Sequence, residues 1–238
     1  MKRQNHLIKC LRKFNIKAMI LAAGRGERMR PLTDTLPKPL LEVGGKALIL
    51  WHIEKLLACG FKDIVINIAH LGYKIPEFLG NGSKYGVNIT YSDEQESGAL
   101  ESAGGIKKAL PLLGNDTFLV VNGDIFCDYE FDKNFDLKDN LAHLILVDNP
   151  KHNKDGDFGL KNALVVKTAE EKYTFSGIGY YNPKLFEDLA CGKSPLAPLL
   201  KQMIELNKIS GELHNGIWHD IGTPQRLENI NTKMKNDN

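Results

Sequence analysis

The sequence predicts an α/β fold: a Rossmann-like, mostly parallel sheet flanked by helices, with a small antiparallel layer. Its 238 residues are 42% hydrophobic, which is enough to bury a sizeable core. Apolar runs rich in Ile and Val alternate with segments of helical periodicity, the pattern of parallel strands joined by crossover helices. Ligands bind such sheets beyond the carboxyl ends of the strands, so the loops there are the first candidates for a functional site.

Five strands are predicted in the first part of the chain, each a short apolar run bounded by turn or helical patterns. They cover residues 18–23, 63–68, 88–91, 118–121 and 143–147. The first run is continuous and ends at Gly24, which is typical of a strand buried on both faces. Between the first two strands, the apolar positions of residues 47–59 recur at helical spacing, and Gly60 is placed to end that helix.

After about residue 150 the pattern loosens, which predicts the antiparallel layer. Strands are expected here over residues 163–166, 173–175 and 217–221. Helices are expected over residues 198–207 and 224–235. No repeat or low-complexity linker interrupts the chain. We therefore expect one domain over residues 16–238, preceded by an N-terminal extension of residues 1–15.

The composition excludes several classes of protein. The 31 Lys and Arg residues nearly balance the 29 Asp and Glu residues, and a net charge of +2 argues against a nucleic-acid partner. No apolar run is long enough for a membrane span, and no unbroken apolar core of a secretory signal follows the N-terminus. The four cysteines lack paired metal or redox spacing. These features predict a cytoplasmic protein with reduced cysteines.

A loop with two glycines and three arginines follows the first strand. Gly24 and Gly26 let the backbone turn sharply and present N–H groups to an anion. The side chains of Arg25, Arg28 and Arg30 can add charge-assisted phosphate contacts. The loop is no Rossmann fingerprint, because position 29 is Met, and no P-loop, because no Gly-Lys-Ser/Thr follows. It predicts a phosphate site, with an ordinary strand-to-loop turn as the alternative.

A lysine between two prolines comes next. Pro37 and Pro39 restrict the backbone around Lys38, which limits where its ammonium group can reach. A lysine presented in this way, shortly after an arginine-bearing glycine loop, suits a polyphosphate ligand. A surface lysine in a stiff loop is the alternative.

Two aspartates stand at the ends of predicted strands that are far apart in the sequence. Asp124 follows the run 118–121, and Asp220 lies in the run 217–221. Magnesium commonly takes one or two protein carboxylates and completes its shell with phosphate oxygens and water. The pair fits a magnesium site, and each aspartate alone is also typical of a turn or a cap.

With these residues, the run 21–39 resembles the signature of the sugar-1-phosphate nucleotidyltransferases, which share the nucleotide-diphospho-sugar transferase fold. The resemblance implies that Arg28, Lys38 and Asp124 are catalytic, and that Asp124 and Asp220 hold Mg²⁺. The glycine-rich segment 98–106 matches the part of the family that reads the base. The nucleotide-binding residues implied by position are Leu21, Ala22, Ala23, Gly24, Gly26, Glu27, Arg28, Lys38, Glu101 and Gly104.

The segments 156–160 and 173–179 look most like the members that join UTP to N-acetylmuramate 1-phosphate in cell-wall sugar recycling. That resemblance puts Asn122, Gly159, Ser176 and Gly177 on the sugar side. Many members have Glu-Lys-Pro where this chain has Glu171-Lys172-Tyr173, so we give Glu171 and Lys172 no sugar role. The carboxylate of N-acetylmuramate calls for a cation or N–H donors. The lysines near the loop 156–159, which could supply that cation or simply face solvent, are Lys151, Lys154 and Lys161.

The resemblance implies nucleotidyl transfer, in which an oxygen of the sugar 1-phosphate attacks the α-phosphorus of UTP, or of another nucleoside triphosphate, and pyrophosphate leaves. Positioning and charge neutralisation would carry most of the catalysis. The alternative enzyme is a mannose-1-phosphate guanylyltransferase or another hexose-1-phosphate nucleotidyltransferase. The alternative of another class is a catalytically idle, nucleotide-binding regulatory subunit. The long β-helix through which some relatives assemble is missing, so we expect a monomer or weak dimer.

Overall fold

The computed structural model describes residues 16–96 and 98–236, so the predicted extension 1–15 lies outside the described residues. Within them, the strands are β1 (Ala18–Leu21), β2 (Glu42–Val43), β3 (Lys46–Ala47), β4 (Asp63–Ile68), β5 (Asn88–Asp93), β6 (Phe118–Asn122), β7 (Ile125–Cys127), β8 (Ala142–Val147), β9 (Gly159–Lys161), β10 (Leu164–Val166), β11 (Thr174–Tyr181), β12 (Ile209–His214) and β13 (Trp218–Asp220). The helices are α1 (Leu48–Ala58), α2 (Lys74–Leu79), α3 (Glu101–Leu113), α4 (Leu196–Glu205) and α5 (Pro224–Asn236).

Nine strands of the described chain form one mixed sheet in the order β5-β4-β1-β6-β11-β8-β12-β10-β9. The first four of these are mutually parallel. Strand β11 runs antiparallel between β6 and β8, while β12 lies parallel to β8. Strands β10 and β9 extend the far edge in antiparallel fashion. The predicted α/β class, a mostly parallel sheet with an antiparallel addition, is confirmed.

Helices cover both faces of the sheet. On one face, Ile49 and Ile53 of α1 pack against a cluster that includes Ile20. On the other face, Ile106 of α3 and Leu200 of α4 pack in a cluster that includes Met19. Met19 and Ile20 are neighbours on β1, and both are fully buried. Successive side chains of a strand point to opposite faces, so the continuous apolar run predicted for β1 reflects burial on both sides.

The register of the central strands places the carboxyl ends of β1, β4 and β6 side by side. Leu21 of β1 pairs with Asn67 of β4 on one side and with Asn122 of β6 on the other. These residues stand at or near the carboxyl ends of their strands. The loops that leave β1, β4 and β6 therefore start next to one another, at the edge where ligands bind in such sheets.

The second half of the sheet is more extensive than the sequence predicts. Strand β11 was expected over 173–175 but covers Thr174–Tyr181, and β12 was not predicted. Glycines inside a strand weaken its sequence signal, and β11 contains Gly177 and Gly179 with a register shift between Phe175 and Ile178. In the part of the chain that the structure describes, no helix is long and apolar enough to cross a bilayer.

Candidate active site

A cavity of about 190 Å³ opens at the carboxyl ends of β1 and β6. It joins a second cavity of about 720 Å³ through three residues common to both linings, Glu101, Ser102 and Asn122. The rest of the first lining is Leu21, Ala22, Ala23, Gly24, Lys38, Pro39, Asn67, Ala99, Gly123 and Asp124. The predicted nucleotide-binding residues therefore meet here, except for Gly26, Glu27, Arg28 and Gly104.

Thr33 holds the glycine loop at Gly26. Gly26 has φ +64, and a Cβ at this position would lie 2.9 Å from the side chain of Thr33. The Thr33 hydroxyl donates to the Gly26 carbonyl at 2.8 Å. Glu27 and Arg28 lie exposed on the 3-10 turn Glu27–Met29, outside the lining that the described residues form. Arg28 therefore faces solvent on a turn that follows the cavity-lining residues 21–24.

A buried amide and carboxyl pair, absent from the sequence prediction, supports the cavity floor. The side chain of Asn67 accepts from the Ala22 N–H at 2.8 Å and donates to Glu94 Oε1 at 2.8 Å. The other Glu94 oxygen accepts from the Leu100 N–H at 2.8 Å. A Cβ at Gly105 would lie 2.8 Å from the Glu94 carboxylate, so glycine permits the close approach of α3. This network fixes the glycine loop relative to the start of α3.

Lys38 lies inside the first cavity. Its side chain is only 9% exposed, and its Nζ is 2.6 Å from Asp124 Oδ2. The turn Lys38–Leu40 carries Pro39, and Pro37 precedes it in extended backbone. The two prolines therefore deliver the lysine to the sheet edge, as the sequence predicts for a constrained side chain.

A two-stranded ribbon brings the second aspartate to the first. Strands β7 and β13 pair antiparallel with Asp220 opposite Ile125, and the Ile221 N–H donates to the Asp124 carbonyl at 2.8 Å. The ribbon thus places the two aspartates at neighbouring positions, although 96 residues separate them in the sequence.

The contacts of Asp220 leave one carboxylate oxygen available. Asp220 Oδ2 accepts from Arg226 Nη1 at 2.5 Å and lies 3.2 Å from His152 Nε2. Asp220 Oδ1 is buried and has no hydrogen-bond partner among the described residues. Burial, and next the charge of Lys233, lower the pKa of the neighbouring His219, which keeps that imidazole neutral. An orphaned buried carboxylate oxygen, on a strand whose backbone pairs next to Asp124, fits a cation such as Mg²⁺.

The predicted sugar-side residues separate into two groups. Asn122 lies at the junction of the two cavities, and Gly177 backs it: φ at Gly177 is +83, and a Cβ there would come within 2.5 Å of the Asn122 amide. Ser176 is buried, and its hydroxyl donates to the Ile145 carbonyl at 2.7 Å. A Cβ at Gly159 would lie 2.4 Å from Ala169. Ser176 and Gly159 fall outside both linings as the described residues form them, and their contacts serve the sheet.

Gly104 likewise packs rather than lines the cavity. Its N–H and that of Ala103 donate to the Ser194 carbonyl, and a Cβ would lie far too close to the Gly192 carbonyl, at 2.2 Å. Glycine at 104 therefore lets the loop 192–194 seat on the first turn of α3. In this way Gly104 positions Glu101 and Ser102, which do line both cavities.

The second cavity contains cations that differ from those expected. The remainder of its lining is Gly156, Asp157, Phe158, Lys172, Phe175, Pro195, Leu196, Ala197, Leu200 and Lys201. Lys151, Lys154 and Lys161 are not among them. From the sequence, Lys172 is given no sugar role and Lys201 carries no prediction. The helical spacing of Leu196 and Leu200, both buried, was the one signal that α4 presents residue 201 beside its packed face.

The family described as nucleotidyl transferase matches residues 17–237. The chain is 53% identical over 222 residues to an N-acetylmuramate alpha-1-phosphate uridylyltransferase of Neisseria meningitidis serogroup B, covering 90% of this chain and 96% of that protein. A mannose-1-phosphate guanyltransferase of Candida albicans is 34% identical, over 88% of this chain and 62% of its own length.

Solved structures agree with these sequence matches. A Bacillus anthracis protein described as a glucose-1-phosphate thymidylyltransferase, in complex with sucrose, has a TM-score of 0.81 and 25% identity to this chain. The match covers 94% of this chain and 96% of that one. Since the family match runs through nearly the whole chain, and the Neisseria relative is matched over almost its full length, the chain belongs to the nucleotidyl transferase family.

Proposed function

We propose that this protein transfers the uridylyl group of UTP to N-acetylmuramate 1-phosphate, giving UDP-N-acetylmuramate and pyrophosphate. The observation that carries the proposal is the 53% identity to a uridylyltransferase of that name over 96% of its length. The two adjoining cavities support it, because one reaction with two substrates needs two sites that meet where the new bond forms.

In this proposal UTP occupies the first cavity and the sugar 1-phosphate the second. An oxygen of the sugar 1-phosphate attacks the α-phosphorus in line, the bond between the α-phosphorus and its bridging oxygen breaks, and pyrophosphate leaves with that oxygen. The attacking group is already an anion, so no general base is needed. The junction residues Glu101, Ser102 and Asn122 would flank the new bond.

Lys38 is proposed as the main positive charge on the reacting phosphates. Its ammonium group is held at the sheet edge with Asp124 as its partner, so it is ready to contact phosphate oxygens without a large change of backbone. Arg28, exposed on its turn, would add a second contact from the glycine loop. Fixed cations of this kind stabilise the charge that develops in the transition state, and that stabilisation is commonly the largest catalytic effect.

Asp124 and Asp220 are proposed to hold Mg²⁺. Among the described residues no cluster of three or more His, Cys, Asp and Glu side chains forms a metal cage, and a two-carboxylate site suits a magnesium ion whose other ligands are phosphate oxygens and water. The ion would supply charge neutralisation on the phosphates of both substrates. Arg226 would keep Asp220 oriented by donating to Oδ2, which leaves Oδ1 without a protein partner among the described residues.

The test is pyrophosphate release with magnesium, using UTP, GTP, TTP and CTP against the 1-phosphates of N-acetylmuramate, mannose and glucose. Release with UTP and N-acetylmuramate 1-phosphate alone supports the proposal. Release with GTP and mannose 1-phosphate would replace it with the guanylyltransferase, which the 34% identity to the Candida albicans protein makes the second candidate. Nucleotide binding without release would favour the idle regulatory subunit.

Two further parts of the proposal concern the setting. A reaction that consumes UTP needs the compartment that supplies it, which we propose is the cytoplasm. The monomer or weak dimer stays a prediction, and sedimentation equilibrium of the full chain would check it.

A further inference from the structure

We propose that Lys201 of α4 recognises the carboxylate of the sugar substrate and so selects an acidic sugar 1-phosphate over a neutral one. This inference rests on the proposed function, and it names the residue that would distinguish N-acetylmuramate from N-acetylhexosamines without a carboxylate. N-acetylmuramate differs from N-acetylglucosamine by a lactyl ether on carbon 3, which ends in a carboxylate. Its binding site must therefore supply a positive charge away from the anomeric phosphate.

The layout of the second cavity fixes where that charge should be. Its end at Glu101, Ser102 and Asn122 is common to the nucleotide cavity, so the anomeric phosphate lies there. The groups that line the second cavity alone include Phe158 and Lys201. With the anomeric phosphate at that junction, a substituent on carbon 3 would be directed towards the part of the cavity that these groups line. The cavity volume of about 720 Å³ has room for a hexose with two substituents.

The other charged groups that line the second cavity are Glu101, Asp157 and Lys172. Asp157 Oδ2 accepts from the Phe175 N–H at 2.8 Å, which fixes that carboxylate to the backbone. Lys172 also lines a neighbouring polar depression. The carboxylates of that depression, which share the field of Lys172, are Asp148, Asp155, Glu170 and Glu171. The charge of Lys172 therefore faces both the second cavity and this depression, which also contains Lys154.

Lys201 lines the second cavity but not the acidic depression, and no carboxylate of its own helix pairs with it. Glu205 is the acidic residue of α4, one turn further along the helix, and would be the natural partner of Lys201. Its Oε1 instead lies 3.0 Å from Lys167 Nζ. Across the described residues, Lys201 has no carboxylate within ion-pair distance. An uncompensated cation at a cavity wall attracts an anionic ligand.

The helix also holds Lys201 in a defined place. Leu196, Leu200 and Ile204 are buried under α4, and Leu196 and Leu200 line the cavity as well. Lys201 directly follows Leu200, so its stem starts at the cavity rim. The apolar groups beside it, together with Phe158 and Phe175, suit the methyl groups of the lactyl and acetyl substituents.

The experiment compares N-acetylmuramate 1-phosphate with its lactyl carboxamide, a neutral substrate of nearly the same shape, in pyrophosphate-release assays with UTP. We expect the wild-type protein to prefer the acid in kcat/KM by on the order of 10- to 100-fold, the usual effect of one charged hydrogen bond. In Lys201→Met the two substrates should become equivalent within a factor of about 3, through a higher KM for the acid. Lys201→Arg should restore the preference, and Lys201→Glu should reverse it.

Lys161→Met is the matched control, since Lys161 is an exposed lysine on β9 outside both cavities. It should keep the wild-type preference for the acid. A Lys201→Met protein that still prefers the acid, or a wild-type protein with no preference, would overturn the role of Lys201 alone. A wild-type protein that releases no pyrophosphate with UTP and the acid would overturn the proposed function, and the role of Lys201 with it. Lys201 is exposed, so melting temperatures within about 2 °C of wild type should accompany all the Lys201 variants.

Discussion

Lys38 and Asp124, which both line the first cavity, form an ion pair with Lys38 Nζ 2.6 Å from Asp124 Oδ2. The pair joins the proposed phosphate-binding lysine to one of the two proposed magnesium ligands. Each partner therefore holds the other in place before substrates bind. In the proposed complex Lys38 would contact phosphate oxygens and Asp124 would hold the metal, so both charges would stay compensated.

Replacing Lys38 should remove most of the activity while the fold survives. Lys38→Met should lower kcat by about 10²- to 10³-fold, because a fixed charge on the transition state is lost. The variant should stay folded, because the Asp124 side chain is 36% exposed and can be solvated without its partner. Circular dichroism and thermal melting check this. Lys46→Met is the control, because it breaks the Lys46–Glu54 ion pair outside the cavity. Near wild-type turnover in Lys38→Met would remove Lys38 from the mechanism.

The Arg226–Asp220 contact predicts a change in metal affinity. Arg226→Gln should raise the magnesium concentration for half-maximal activity by about 10-fold or more, as is usual when a partner of a metal ligand is lost. Arg226→Lys should give a smaller change, since it keeps the charge but not the fixed fork of donors. Binding of Mn²⁺, followed by electron paramagnetic resonance with UTP and no sugar phosphate, gives a readout independent of turnover. Unchanged Mn²⁺ affinity in Arg226→Gln would contradict the positioning role.

A side chain at position 177 should lower activity by displacing the Asn122 amide. Gly177→Ala places a methyl group within 2.5 Å of the Asn122 amide, which must then leave the cavity junction. We expect kcat/KM for the sugar 1-phosphate to fall by about 10-fold or more, on the scale of a displaced positioning group.

Gly45→Ala is the control for Gly177→Ala. Gly45 has φ +77, so alanine there imposes similar backbone strain. However, no atom lies within 4 Å of the methyl group that Gly45→Ala adds. If the two variants lose the same fraction of activity, the effect is strain alone and Asn122 has no part in it.

His52 should make stability depend on pH. Burial on the packed face of α1 lowers the pKa of the His52 imidazole to about 4, while an unfolded chain has the ordinary value of 6.5. Below pH 6.5 the unfolded state therefore takes up a proton that the folded state refuses, and stability falls as the pH drops towards 4. The loss should be about 3 kcal/mol over this range, measured by urea unfolding. His52→Leu should flatten this part of the profile, whereas an unchanged slope in that variant would assign it to other groups.

The sequence predicts the parts of the molecule whose signal is local. The β1 strand and the glycine loop are contiguous, and Lys38 sits between two prolines, so each is recognisable alone. Strand β11 is different: its glycines weaken the strand pattern, and neighbouring strands β6 and β8 stabilise it from both sides. Its full length therefore depends on contacts that no short window contains.

In the candidate site too, some residues can be recognised from local sequence and others depend on contacts between distant segments. Asn67 and Glu94 are 27 residues apart and meet only because parallel strands bring their ends together. Lys201 enters the cavity because α4 packs on the sheet, and nothing in its own neighbourhood of sequence indicates a site. Ser176 shows the opposite case, since its motif position suggested the sugar side while its buried hydroxyl bonds the Ile145 carbonyl.

Phosphorus NMR of the wild-type chain with UTP, N-acetylmuramate 1-phosphate and Mg²⁺ tests the proposed uridylyl transfer most directly. Both substrates should disappear at equal rates, UDP-N-acetylmuramate and pyrophosphate should appear in a 1:1 ratio, and Asp124→Asn should slow all four changes together. Unchanged substrate resonances, or a sugar nucleotide formed only from GTP and mannose 1-phosphate, would contradict it.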